Sequence, residues 1–435
     1  MTHPPESWGR YPRAVPAAIH RLVDRQAPLP PTSRPRLVFG NGRSYGDVCL
    51  NDGGELLLGR GLDRFIAFDR NAGVLRAEGG VLLSEVLDLV VPHGWFLPVT
   101  PGTRFVTLGG AVANDVHGKD HHRAGTFGCH VRALELVRSD GERRLCTPTD
   151  AGDWLAATIG GLGLTGLIAW VEVQLKPIAG PWIQAENRRF GDLAEFFRLS
   201  AATDRTDEFS VAWVDCAARG TNLGRGILLK GNFAPTTAGP GTPPRTHGRL
   251  SVPVTPPGSL INRVSLNAFN ALYYRKPAGA FLSHYTPFFY PLDGIGHWNR
   301  IYGPKGFLQY QCVLPSAAAE PALRELLARI ARSGQGSFLA VLKRFGERPS
   351  PGLLSFPRPG ATIALDFPFM GQATLDLLDT LDAVVAEAGG ALYPAKDGRM
   401  SPAMFRRSFP RLEEFLPFVD PGFSSGFWRR VMADG

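Results

Sequence analysis

Three glycine-rich segments fall within the first 170 residues, and nothing else constrains this chain as much. The first runs Gly40-Asn41-Gly42-Arg43-Ser44-Tyr45-Gly46-Asp47, the second spans Pro101–His122, and the third is Ile159-Gly160-Gly161-Leu162-Gly163-Leu164-Thr165-Gly166. Glycine lets a backbone approach a flat or charged ligand and present its N–H groups. Three such loops in this order suggest one extended ligand contacted from several sides. The second segment also ends in a charged, histidine-bearing cluster, His117-Gly118-Lys119-Asp120-His121-His122.

The segments between the loops read as an α+β chain. Arg36–Phe39, Glu55–Leu58, Val74–Glu78 and Trp95–Pro98 suit short strands bounded by Gly, Asp and Pro. Leu82–Val91 has helical apolar spacing, stopped by Pro92 and Gly94. Val131–Val137 and Leu167–Leu175 suit strands. No regular strand–helix–strand alternation appears. Gly40–Gly46 contains Gly-x-Gly but not Gly-x-Gly-x-x-Gly, so a Rossmann fingerprint fits poorly. At 435 residues the chain exceeds one ordinary core, and about two domains are expected. The pattern changes near Pro177–Pro181. Beyond it, Phe209–Asp215, Gly226–Lys230, Gln309–Leu314, Phe338–Phe345 and Thr362–Phe367 are candidate strands, and Ala318–Arg332 and Thr374–Ala388 candidate helices. Thr236–Gly258, crowded with Pro, Gly and Thr, reads as a mobile loop.

A content of 44% hydrophobic and 20% charged residues is that of a soluble globular protein. No apolar run approaches the ~18 residues of a membrane span, and the N-terminus lacks a secretory pattern. The five cysteines are scattered and show no Cys-x-x-Cys spacing, as reduced thiols of a cytoplasmic protein would be. His117 and His121 have His-x-x-x-His spacing, but Gly118 lies inside it and no Glu follows His117. No metal is expected there, and a structural His121 and His122 is the plain reading.

The formal net charge of +8 favours anionic partners. From Cys216 through Leu292 there is no Asp or Glu, whereas Arg219, Arg225, Lys230, Arg245, Arg249, Arg263, Arg275 and Lys276 fall inside it. Tyr273, Tyr274, Phe281, Phe288, Phe289 and Tyr290 read as exposed aromatics in the same stretch. Two readings stay open: a solvated basic loop region, about 216–292, or a mobile cover that meets a lipid phosphate or anionic membrane.

The three loops in this order resemble the FAD domain of the vanillyl-alcohol-oxidase/PCMH flavoprotein superfamily. Pro101-Gly102-Thr103-Arg104, His117–His122, Phe307-Leu308-Gln309-Tyr310-Gln311 and Tyr393-Pro394-Ala395-Lys396-Asp397 narrow the resemblance to its decaprenylphosphoryl-ribose 2′-oxidases, from about residue 35 onward. The resemblance implies a PCMH-type FAD-binding domain of two α+β subdomains over 1–180. It implies an inserted substrate domain over 181–390, built on an antiparallel sheet flanked by helices, and a return to the FAD domain over 391–435.

Cofactor contacts are then expected from Gly40, Asn41, Gly42, Arg43, Ser44, Tyr45, Gly46 and Asp47 of the first loop. Gly102, Thr107, Leu108, Gly109, Gly110, Asn114, Asp115, Val116 and His117 follow from the second, with Ile168 and Tyr393 completing the set. Many relatives attach the flavin through a histidine at the position of Arg43, so FAD is expected to be noncovalent. Lys396 and His117 are the candidate catalytic residues, with Lys396 at the substrate hydroxyl. A surface lysine paired with Asp397 is the plain alternative for Lys396. Lys119, Trp213, Tyr302, Gln311, Lys343 and Asp366 are the candidate substrate contacts.

The implied activity is oxidation of the 2′-hydroxyl of a polyprenyl-phosphate-linked ribose by hydride transfer to flavin. A separate NAD(P)H-dependent short-chain reductase would complete an epimerisation. The implied place is cytoplasmic, peripheral at an anionic membrane surface. A soluble FAD-dependent sugar or aldonolactone oxidase is the second enzyme reading. A basic nucleic-acid-binding protein is the reading from another class, and no helix–turn–helix or finger pattern supports it. Ala364 stands where mycobacterial members carry cysteine and Thr362 replaces an asparagine, so the pocket's shape is expected to differ.

Overall fold

The computed structural model describes residues 5–149, 152–235 and 250–433. Alternating apolar residues build its sheets, as a strand with one buried face requires. In Leu167–Gln174, Ala169, Val171 and Val173 are buried while Trp170, Glu172 and Gln174 are half-exposed. This strand lies at the centre of a five-stranded antiparallel sheet ordered Phe65–Asp69, Val74–Glu78, Leu167–Gln174, Val131–Val137, Arg143–Cys146. A smaller parallel sheet is ordered Ala18–Arg21, Glu55–Leu58, Arg36–Phe39, and the first glycine-rich loop leaves the end of its last strand. The helix Leu83–Val90 turns Val86, Leu87 and Val90 into the same core as the five-stranded sheet.

The later part of the chain forms an eight-stranded antiparallel sheet. Its order is Gly279–His284, Trp182–Phe190, Gly226–Phe233, Phe209–Val214, Val341–Phe345, Gly360–Pro368, Phe307–Pro315, Ala391–Leu392. The helices Leu193–Thr206, Ala319–Ser333 and Gln372–Glu387 pack their apolar faces into its core. The chain then turns back to the first glycine-rich loop. Phe423 pairs with Arg36, and Arg430 donates to Asp47 at 2.6 Å and to Asp397 at 3.2 Å.

The acid-free stretch is more ordered than a basic loop region would be. It contains two strands of the large sheet, Gly226–Phe233 and Gly279–His284, and the helix Arg263–Tyr274, capped by Asn262. Phe288, Phe289 and Tyr290 are buried rather than exposed. Phe289 packs on Phe96 at 5.4 Å, and such aromatic pairs each add about 0.5–1.5 kcal/mol beyond their area. Nor are all its cations free: Arg225 pairs with Asp215, and Lys230 with Asp207 and Glu186, carboxylates from outside the stretch or at its edge. Arg263, Arg275 and Lys276 remain exposed. Arg245, Arg249 and most of the expected loop Thr236–Gly258 lie outside the described residues. No helix among the described residues is long and apolar enough to cross a membrane.

Candidate active site

A cavity of about 830 Å³ collects all three glycine-rich segments on one side. Gly40 through Tyr45 line it, as do Gly102, Thr107, Gly109, Gly110, Asn114, Val116 and His117. Leu162, Gly163, Gly166 and Ile168 come from the third segment and the strand after it. Thr107 caps the glycine helix Leu108–Ala113 by accepting from Gly110 N–H at 3.1 Å, which fixes the turn that bares Gly109 and Gly110 to the cavity. Gly42 has φ +58°, a conformation in which a β-carbon is strained.

Two observations test the fit to FAD. A β-carbon placed on Gly102 would meet nothing within 4 Å, so the backbone there faces open cavity space. Asn114 Oδ1 is buried with no hydrogen-bond partner, while its Nδ2 is spent on Gly110 O at 2.9 Å. An orphaned acceptor at a cavity wall suits a ligand donor, and FAD carries donors on its ring and ribityl chain. The residues fit the cofactor.

The opposite wall is one face of the large sheet. Because side chains alternate along a strand, Gln309 and Gln311, then Thr362, Ala364 and Asp366, then Val341 and Lys343 all point the same way. The register sets Gln309 opposite Asp366, Gln311 opposite Ala364 and Lys343 opposite Thr362. His117 is wedged between this face and its own loop. Gln311 Nε2 lies 3.0 Å from its Nε2, and Lys343 Nζ 3.0 Å from its Nδ1. Burial first, and then the Lys343 charge, holds the imidazole well below its ordinary pKa and therefore neutral. Burial likewise takes Lys343 down to about 7. Gln311 Nε2 donates to Thr362 Oγ1 at 3.2 Å and faces His117 Nε2, so that ring nitrogen accepts and Nδ1–H faces the Lys343 amine, which near 7 can accept it.

Lys396 and Lys119 enter the same cavity. Burial lowers each to about 8, with Asp366 partly offsetting this for Lys396 and Asp120 for Lys119. A lysine near that value is partly neutral at physiological pH and can take a proton. Lys119 Nζ donates to Phe289 O at 3.1 Å. Asp366 is fully enclosed and pushed up to about 6 by burial; it accepts from Gln309 at 2.5 Å and Tyr302 at 3.2 Å. Lys396 is not a surface lysine paired with Asp397: Asp397 is taken by Arg430 and by the N–H groups of Arg399 and Met400.

Six expected contacts do not reach the cavity wall. Asp47 is held by Arg430, and Gly46 is pressed against the Asp397 carbonyl with no room for a β-carbon. Leu108 is a core residue. Asp115, in a left-handed turn at φ +39°, accepts from Gly128 N–H and from the hydroxyls of Ser350 and Ser355, so it pins a loop. Trp213 donates its indole N–H to Phe338 O at 2.9 Å and packs behind Tyr273, which lines the cavity. Tyr302 stacks on Phe307 at 4.1 Å and acts only through Asp366. Conversely Gln309, Phe269, Tyr273, Asp293, Gly79 and Gly80 line the cavity without having been expected. For Gln309 a signal existed, since it shares strand parity with Gln311. Arg43 lies 4.3 Å over the Trp8 ring and donates to Asn41 O.

Comparison with known proteins adds three findings. Residues 31–147 match the FAD binding domain family. The chain is 36% identical to the decaprenylphosphoryl-β-D-ribose oxidase of Mycolicibacterium smegmatis over 98% of its length and 96% of that protein. It is also 36% identical, over 81% of its length, to the whole of an uncharacterised protein from the mprA 5′ region of Streptomyces coelicolor. The mouse L-gulonolactone oxidase matches at 29% identity over only 32% of the chain.

Proposed function

This chain belongs to the decaprenylphosphoryl-β-D-ribose oxidase family of FAD-binding proteins, and on that premise we propose that it oxidises the 2′-hydroxyl of a polyprenyl-phosphate-linked ribose to a keto sugar. The observation that carries the reading is the meeting of Lys396, Lys343, His117 and Gln311 in one cavity with the glycine-rich loops. The first loop and the Thr107–His117 segment would hold FAD, noncovalently because Arg43 offers no attachment atom. Bound there, FAD supplies the acceptance of two electrons that alcohol oxidation needs.

In this reading residues 1–180 and 391–435 serve the cofactor and 181–390 the substrate. Lys396 takes the hydroxyl proton as a neutral amine. His117, neutral and fixed by Lys343 and Gln311, holds one ring orientation at the cavity wall. Lys119, Gln311 and Asp366 orient the sugar. Ala364, smaller than cysteine, leaves extra space on the sheet face. Because the L-gulonolactone oxidase matches over only 32% of the chain, whereas the decaprenylphosphoryl-β-D-ribose oxidase matches over 98%, the lactone reading has less support. The nucleic-acid reading has none in the family.

The lipid end of the substrate asks for an apolar, basic mouth. The helix Arg263–Tyr274 supplies Phe269 and Tyr273 to the cavity and turns Val264 and Leu272 outward, 78% and 71% exposed. Exposed Arg263, Arg275 and Lys276 flank them. This face would rest on an anionic membrane while the prenyl chain leaves the cavity. A separate NAD(P)H-dependent reductase would consume the keto sugar. Anaerobic mixing of the FAD-loaded enzyme with polyprenylphosphoryl ribose, free ribose or an aldonolactone tests the assignment. Bleaching of the flavin by the first alone is expected; bleaching only by a lactone overturns it.

A further inference from the structure

The first glycine-rich loop and the lysine loop near the C-terminus are joined at three levels. Tyr45 N–H donates to Ala395 O at 2.9 Å. Gly46 touches the Asp397 carbonyl so closely that no side chain fits between them. Arg430 bridges Asp47 and Asp397. Inside this join the Nζ of Lys396 stands 3.9 Å from the centroid of the Tyr45 ring. Among the described residues that ring face is its one direct partner.

We propose that Tyr45 is the positioning residue for Lys396, its ring face seating the amine at the cavity wall. The inference rests on the reading of Lys396 as the group that meets the substrate hydroxyl. An aromatic face attracts an ammonium through its quadrupole yet accepts no proton. It therefore holds the lysine without competing for the bond that the lysine must make to substrate. A carboxylate in the same place would pair with the lysine and keep it protonated. Asp366 is the acid within reach, and both its oxygens are already engaged by Gln309 and Tyr302. Tyr45 is itself braced edge-on by Phe307 at 5.5 Å. Four further groups bear on the pair: His117 and Lys343 feel the Lys396 charge, while Arg43 and Asp293 act on Tyr45.

The ring stabilises the charged form, so a poorer π face lowers the pH at which Lys396 gives up its proton. The test uses the FAD-loaded enzyme and decaprenylphosphoryl ribose, with flavin reduction followed in a single turnover from about pH 6 to about pH 10. Tyr45→Phe should keep the wild-type midpoint. Replacing Tyr45 by phenylalanines with one, two and three ring fluorines keeps the shape and drains the face. The midpoint should fall stepwise, by about one pH unit in all, when rates are normalised to bound FAD. A single midpoint shared by all the rings overturns the assignment. Lys396→Ala belongs in the same series. If its pH limb survives, the reading of Lys396 falls; if the limb vanishes there but no ring moves it, only the role of Tyr45 falls.

Discussion

Lys343 Nζ lies 3.0 Å from Nδ1 of His117, and two cations cannot share so short a contact in an enclosed site. The imidazole stays neutral, and burial, with the Lys119 charge behind it, lowers the lysine to about 7. In the unfolded chain the same lysine titrates near ~10.4. Across that window the unfolded state binds the extra proton, so this lysine's contribution to stability rises with pH and is lost toward pH ~7. Lys343→Met in the cofactor-free protein should raise Tm relative to wild type most at or below about pH 7. The gain should shrink toward pH ~10, and a gain independent of pH would contradict a lysine lowered by burial.

Lys396→Ala should leave FAD bound and slow flavin reduction by about 10²- to 10⁴-fold, the usual worth of a positioned proton acceptor. The loss should appear in the reduction step rather than in substrate affinity, because the bond strengthens as the proton leaves. Stopped-flow reduction at saturating substrate measures it. Near-wild-type rates would remove Lys396 from the mechanism.

By the resemblance, Arg43 would take the position where many relatives attach the flavin, and its guanidinium is turned onto the Trp8 ring. Acid precipitation should therefore leave yellow FAD in the supernatant. Flavin that stays with the denatured chain would show a covalent bond through another residue.

Arg430 ties Asp47 to Asp397 from the C-terminal helix Gly426–Val431. Arg430→Ala leaves two largely buried carboxylates without their cation, a loss of about 3 kcal/mol in urea unfolding. FAD affinity should weaken with it, since both joined loops line or border the cavity. A change below about 0.5 kcal/mol, that of an ordinary surface substitution, would mean the join is incidental.

Neutralising Arg263, Arg275 and Lys276 together should weaken co-sedimentation with anionic liposomes, each cation contributing about 1 kcal/mol near such a surface. Salt should mimic the substitution, because exposed charges are screened within about 10 Å at 0.1 M. Unchanged binding would return this face to the status of solvated surface.

The strands Arg36–Phe39, Glu55–Leu58, Val74–Glu78 and Val131–Val137 lie where short apolar-rich runs and their flanking turn residues put them, because both signals sit in adjacent residues. The strand Trp182–Phe190 was not legible: polar Asn187 takes a buried position while Gln184, Arg188 and Arg189 stay exposed, and its pairing on both edges is with strands distant in the chain. Of the two helices not expected, Leu193–Thr206 carries a readable stripe of Leu193, Phe196, Leu199 and Thr203 behind the cap Asp192, whereas Arg263–Tyr274 does not. The second of these buries only Leu266 and Asn270 fully, which leaves almost no apolar stripe to read.

The glycine-rich loops, the lysine motif and the acid-free stretch are properties of short segments, so sequence alone determined that a large ligand is cradled and that a lysine stands ready. Tertiary structure decided which of those residues meet. Asp115 and Trp213 have the right chemistry for a site, but loop-pinning hydrogen bonds and Tyr273 keep them out of it. Tyr45 and Lys396 lie near opposite ends of the chain, and only the packing of the C-terminal segment against the first loop sets one over the other. Such contacts are selected by the burial free energy of whole sheets and helices, which no local pattern records.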